Sequence, residues 1–242
     1  MGVGKLFHGH APEGAFEESG GRESGFGPKP PKRLKWEADK TSTDWGPFPE
    51  TDAEMPDFRT AQWAVERLEQ EHEKPFFLAA GLYRPHLPWY APEKYFEKFP
   101  EAETILPEIL EGDLDDIPPS ALRSLRDHAE VTGSGQWKRA VATYLACIHY
   151  ADQNVGRILK SLDEGPNADN TTICLWTDHG WHLGEKQHWR KFTLWEESCG
   201  VPLIVAGKGV SAQGAVCERT VELLGARELK RYRGGHYTRI SR

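Results

Sequence analysis

Three short runs, Phe76–Leu82, Thr171–Thr177 and Val201–Ala206, are apolar or β-branched at almost every position instead of alternating with polar residues. A strand without a polar face has to be covered on both sides, so such runs call for a sheet lying between other layers. The covering layers are legible beside them. From Arg59 to Glu73, the residues Ala61, Ala64, Val65 and Leu68 fall at i, i+3, i+4 and i+7, one face of an amphipathic helix, which Lys74-Pro75 ends. Between Trp137 and Leu162, residues Val141, Tyr144, Leu145, Ile148, Val155, Ile158, Leu159 and Leu162 repeat at helical spacing before the Gly165-Pro166 stop. Asp152 interrupts this stripe, and an unpaired buried carboxylate is costly, so it is expected to have a buried hydrogen-bond partner. Strands alternating with helices predict an α/β fold.

The 242 residues, 38% hydrophobic and 28% charged, suffice for one such domain. Residues 9–35 hold six glycines and four prolines without periodicity and are predicted to form an irregular loop, neither helix nor strand. Residues 107–136 read as a surface insertion, since Glu108–Asp116 carries five acids and no base before Pro118-Pro119. A formal charge of −7 argues against nucleic acid or an anionic membrane surface as partner, because both need a positive footprint. No stretch approaches the ~20 apolar residues of a membrane span. The first residues lack the charged-then-apolar build of a secretory signal, and Leu6 stands where an N-myristoylation motif needs Ser or Thr. Cys147, Cys174, Cys199 and Cys217 are scattered without a CxxC pair and are read as buried free thiols. The nine tryptophans are read as core and rim packing.

In open α/β sheets, ligands collect beyond the carboxyl ends of the strands. Two of the apolar runs end there on polar residues, Arg84-Pro85-His86 and Asp178-His179-Gly180. A carboxylate next to an imidazole is an economical pair of ligands for one divalent cation, and Gly180 lets the backbone turn away. These two residues alone do not name the ion, since carboxylate favours calcium or magnesium while imidazole tolerates many metals. His182 and His188 raise a zinc alternative, but in a glycine-broken loop they lack the helical HExxH arrangement. Gly2-Val3-Gly4-Lys5 lacks the spacing of a phosphate loop.

Taken together and in order, GVGKLFHG (residues 2–9), FFLAAGLYRPHLPWYAPEKYF (76–96) and TDHGWHLGEKQHWRKFTLWEESCGVPLIV (177–205) resemble the sulfatases. The nearest likeness is to the iduronate-2-sulfatase and choline-sulfatase branch of the alkaline-phosphatase-like superfamily. The resemblance covers about residues 1–224. It implies part of a sulfatase catalytic domain, an α/β sandwich with a mixed, mostly parallel sheet and helices on both faces, incomplete at its N-terminal side. It also implies a sulfuric ester hydrolase of sulfated sugars or small sulfate esters, using Ca2+ and formylglycine. By motif match, Asp178 and His179 would hold the ion, Lys5 and His8 of GKxFH would contact the sulfate, and His86 of RPHxP would hydrogen-bond the ester or its leaving oxygen. Lys191 of HWRKF would bind a sulfate oxygen. The chemistry is coherent, because lysines and a metal stabilise charge as the S–O bond breaks and a histidine can protonate the leaving alkoxide.

The chain departs from the family pattern in two places. None of the four cysteines stands in the CxPSR motif that yields formylglycine, and the strand carrying two further aspartate ligands is not matched, so the chain alone is expected to be inactive with half a metal site. Beyond Leu224 the family pattern stops. Residues 225–242 hold six basic residues against one acid and are expected to form a disordered basic tail. Two alternatives remain, a metal-dependent phosphohydrolase of the same superfamily and a noncatalytic remnant. Family members are usually exported or lysosomal. Uncovered sheet edges predict aggregation on expression.

Overall fold

The computed structural model describes residues 1–22, 25–34, 44–119, 122, 125–210 and 214–220, so the expected tail at 225–242 lies outside the described residues. In chain order the elements are β1 (Gly2–Gly4), β2 (Ser19–Gly21), β3 (Trp45–Pro47), α1 (Pro56–Leu68), β4 (Ala79–Gly81), β5 (Trp89–Ala91), α2 (Leu125–Gly133), α3 (Trp137–Asp163), β6 (Thr172–Trp176), β7 (His182–Leu183), β8 (Trp189–Arg190), α4 (Glu196–Cys199) and β9 (Leu203–Gly207).

The α1 helix opens on Pro56, whose missing N–H has no helical partner to lose in a first turn. It ends at Leu68, short of Glu73, because Asn167 caps it from a distant segment: Nδ2 donates to the carbonyls of Leu68 and Gln70 at 3.1 and 3.0 Å. It packs on α3 and buries Ala61 and Ala64, while the buried residues of α3 include Ala140, Thr143, Cys147, Tyr150 and Asn154. This face differs from the predicted stripe. Ile148 is 40% exposed, and Asp152 is exposed with no buried partner. The reason is tertiary packing, since Ala140, Ala146, Cys147 and Tyr150 are the residues that lie against the aromatic core of Trp45, Trp89, Tyr95 and Trp189. The buried polar position belongs to Asn154, which donates to Tyr150 O at 2.9 Å. Arg157 ties the two helices by donating to Gln62 Oε1 at 2.6 Å and to Phe58 O at 3.3 Å.

The strands form a mixed α/β arrangement of small sheets. β2, β1 and β4 make a parallel three-stranded sheet, β3 and β5 a parallel pair, and β6–β9 and β7–β8 antiparallel pairs. Residues 9–35 were expected to contain no strand, yet β2 lies within them. Gly20 permits it, because a Cβ there would collide with Trp63 and Val3. Residues 107–136 are largely exposed over Glu108–Pro119 but also hold α2.

The expectation of buried strands is corrected for all three runs. The first narrows to half-buried β4. The other two become β6 and β9, but Leu203, Ile204 and Val205 are 41%, 54% and 43% exposed. Successive strand residues point to opposite faces, so neither face of this pair is covered by the described residues. The core lies instead where Trp45, Trp89, Tyr95, Cys147, Tyr150 and Trp189 meet under α3. Four free thiols are present as expected, but Cys199 and Cys217 are exposed and Cys174 is half-buried, leaving Cys147 as the buried one. Among the described residues no helix is long and apolar enough to cross a membrane.

Candidate oxyanion-binding and metal site

The parallel register of β1 with β4, Gly2 opposite Ala79 and Gly4 opposite Gly81, sends both chains out of the sheet at the same end. Lys5 N donates to Gly81 O at 2.8 Å. The contact is so close that a Cβ on Gly4 would strike Gly81 O, and Gly4 has φ of 80°. Lys5 therefore leaves β1 beside the segment carrying His86, with its ammonium 6.0 Å from the Tyr83 ring centroid.

Two buried residues hold that segment. Asp57, fully buried in the first turn of α1, accepts from Tyr83 N at 2.7 Å and Arg84 N at 2.9 Å. The Arg84 guanidinium donates to the carbonyls of Tyr90, Phe26 and His86 at 2.8, 2.9 and 3.3 Å. His86 Nδ1 lies 2.7 Å from Leu87 O, so Nδ1 carries the proton and Nε2 is the free acceptor. Phe26 stacks on its ring at 4.9 Å, and Trp181 meets it edge-on at 5.7 Å.

The third segment leaves β6 and turns at Gly180, whose N–H donates to Ser198 O at 2.8 Å. The His179 ring lies 6.1 Å from that of His86. Asp178 Oδ1 is 3.7 Å from His179 Nε2, with its side chain 74% exposed. Lys191, just past β8, brings its ammonium to within 2.7 Å of His179 Nε2. The structure thus brings Lys5, His86, Asp178, His179 and Lys191 together. His8 stands apart at the rim, exposed, with its carbonyl receiving Arg22 Nη1 at 3.1 Å. Arg22 also donates to Gly9 O at 3.0 Å and to the Tyr83 hydroxyl at 2.6 Å, linking the His8 loop to the His86 segment. His182 and His188, the zinc alternative, are buried against each other with centroids 4.9 Å apart and against Trp195.

Charge is concentrated here against the sign of the whole chain. Burial lowers the pKa of Lys5, helped by Lys191 and Arg22 and opposed by Asp178 and Asp57. Burial likewise lowers His86 to about 4, with Lys5, Lys191 and His179 adding to the effect and the Leu87 carbonyl opposing it. His179 is lowered by burial and the two lysines against the Gly180 carbonyl and Asp178. The site gathers two lysine side chains with two imidazoles whose charged form burial disfavours, a set suited to an anion.

The donors of Asp178 and His179 fit a divalent cation in type and spacing, but calcium takes six to eight ligands. Among the described residues no group of three His, Cys, Asp or Glu side chains could hold a metal. Formylglycine does not fit, since Cys147 lies in the core and no cysteine has the required context. Sequence reading assigned no role to Asp57, Arg22 and Tyr83, and placed Arg84 at the rim without its bracing role. Arg84 and Tyr83 sit inside the quoted motif, whereas Asp57 looked like an ordinary first-turn acid and Arg22 carried no signal.

Comparison with known proteins shows the family. A sulfatase family model matches residues 3–226. A sulfatase of Formosa agariphila is 42% identical over 93% of this chain and 47% of its own length. Human iduronate 2-sulfatase is 30% identical over 88% of this chain and 43% of its own. The chain spans about half the length of these relatives. Phosphonate monoester hydrolase from Silicibacter pomeroyi superposes with a TM-score of 0.53 over 73% of this chain and 40% of that one at 22% identity, a likeness of fold alone. With the profile running through all three clustered segments, the chain belongs to the sulfatase family.

Proposed function

We propose that this chain forms the sulfate-binding face of a calcium-dependent sulfuric ester hydrolase, with residues 1–224 as the unit that contributes it. The observation that carries the reading is the convergence of Lys5, Lys191 and His86 next to Asp178-His179 in a chain of net charge −7. Lys5 and Lys191 engage the nonbridging oxygens of a sulfate ester, where charge resides and shifts as the S–O bond breaks. His86 faces the same space with a bare Nε2. An anion arriving between the lysines screens their charge and lets Nε2 take up a proton from solvent, which it later gives to the leaving alkoxide oxygen. His8, exposed at the rim, is assigned to the sulfate through its place in the GKxFH run.

Asp178 and His179 would hold the divalent cation, which supplies further charge stabilisation when bound. A saccharide sulfate is the favoured substrate class, carried over from relatives named iduronate 2-sulfatase and ulvan-active sulfatase. No nucleophile is assigned among these residues, so turnover by this chain alone is not expected.

The test is titration of the chain with inorganic sulfate, followed through the imidazole resonances of His86 and His179. Saturable shifts at both rings are expected, weakened in Lys5→Met and Lys191→Met. Unshifted rings would remove the oxyanion site. Metal-dependent hydrolysis of an aryl sulfate by the chain alone would overturn the expected inactivity.

A further inference from the structure

Arg190 ends β8 with φ of 75°, and Lys186 and Gln187, in the turn leading into β8, have φ of 51° and 53°. Among the described residues these are the only ones other than glycine in the left-handed region. Side chains are strained there, and such a backbone persists only where its surroundings over-determine it. The strain lies immediately before Lys191, whose ammonium donates to His179 Nε2 at 2.7 Å. The surroundings that hold the turn come from residues 107–136, the segment whose acidic run reads as a surface insertion. Lys186 Nζ donates to Asp113 Oδ1 at 2.7 Å, and Trp189 Nε1 donates to His128 Nδ1 at 3.2 Å in the interior. Arg190 Nε lies 2.7 Å from Asp127 Oδ2 in α2, with the two side chains 27% and 23% exposed. It is an ion pair by proximity, since the N–H is not aimed at the oxygen.

We propose that the acidic insertion braces the turn before Lys191, and that Asp127 is a positioning residue: by holding Arg190 in its left-handed backbone it fixes where the Lys191 stem begins and so delivers the ammonium to the oxyanion site. The inference rests on the sulfate-binding reading above and adds what holds one of its two lysines in place. A lysine needs such support more than most residues, because its long stem spreads a compact charge over many rotamers unless the backbone below it is fixed. Asp127 also separates two effects by sign. A carboxylate acting through space disfavours an anion, whereas a carboxylate that presents a lysine favours one. Removing its charge therefore strengthens sulfate binding if only the field matters and weakens it if the brace does.

The test is calorimetric titration of the full chain with inorganic sulfate, read beside the His179 Nε2 nitrogen resonance, which reports the ammonium donated to it whether or not sulfate binds. Wild type is compared with Asp127→Asn, the double variant Asp127→Asn/Arg190→Gly, and Lys191→Met as the reference for a lost donor. Asp127→Asn is expected to bind sulfate about fivefold more weakly, the size of one partly exposed ion pair, with the resonance moved toward that of Lys191→Met. The double variant should return to within about twofold of wild type, because glycine takes a positive φ without a side-chain penalty and no longer needs the brace. Tighter or unchanged sulfate binding in Asp127→Asn, with the resonance unmoved, would overturn the proposal. A double variant as weak as Asp127→Asn would overturn it as well, since strain at Arg190 would not be what Asp127 holds. Sulfate binding absent from wild type would remove the oxyanion reading, and the resonance then decides the brace: moved in Asp127→Asn it supports the brace, unmoved it overturns it.

Discussion

Replacing Asp57 by alanine removes the acceptor on which the His86 segment hangs. Its two oxygens receive the backbone N–H groups of Tyr83 and Arg84 at 2.7 and 2.9 Å, and both residues are buried. Alanine leaves two donors in a dry environment, each costing about 1–3 kcal/mol. The sum, about 4 kcal/mol, is a large part of the roughly 5–15 kcal/mol that holds a domain together. Arg84 then loses its nearby carboxylate and has only carbonyls as partners, which adds to the loss. Asp57→Asn should recover little, because one of its two positions becomes an N–H facing an N–H. The assay is urea unfolding followed by circular dichroism, with Asp57→Ala and Asp57→Asn beside wild type. A loss below about 1 kcal/mol in Asp57→Ala would refute the reasoning, since orphaned buried donors cannot be that cheap. The His86 imidazole resonance should also move in both variants.

Three further outcomes follow from the same geometry. His182 is fully buried with its pKa lowered from 6.5 to about 4, chiefly by burial, so below pH 6.5 the unfolded chain binds a proton that the folded chain refuses. Stability present above pH 6.5 is therefore lost as the pH falls toward 4, by about 2 kcal/mol at pH 5, and His182→Phe should flatten the urea midpoint against pH. Ile204→Thr, on an uncovered strand, should change stability by less than about 0.5 kcal/mol while lowering light scattering on storage. Arg22→Gln should speed amide exchange at His8–His10 without altering exchange in α3, because it frees the carbonyls of His8 and Gly9 and the Tyr83 hydroxyl.

Local information reached far where the constraint was local. Helical spacing placed α1 and α3, Gly165-Pro166 marked the end of α3, and the resemblance over three segments named Lys5, His86, Asp178, His179 and Lys191, which the fold gathers. It failed where the outcome depends on a partner. Pattern could not say that Ala140, Cys147 and Tyr150 rather than Ile148 turn inward, because that choice is made by the aromatic core on which α3 lies. Nor could it say that β6 and β9 pair with each other and stay exposed, since apolar composition states a need for cover without supplying it.

Family membership was legible in the residues alone, because residue types and their order along three segments are written there directly. That the β1–β4 register carries Lys5 to the segment of His86, that Asp57 and Arg84 brace this segment, and that Lys191 sits on the lone pair of His179 came from the tertiary structure alone. These are contacts between residues far apart in the chain, and their existence depends on packing, which no local pattern encodes.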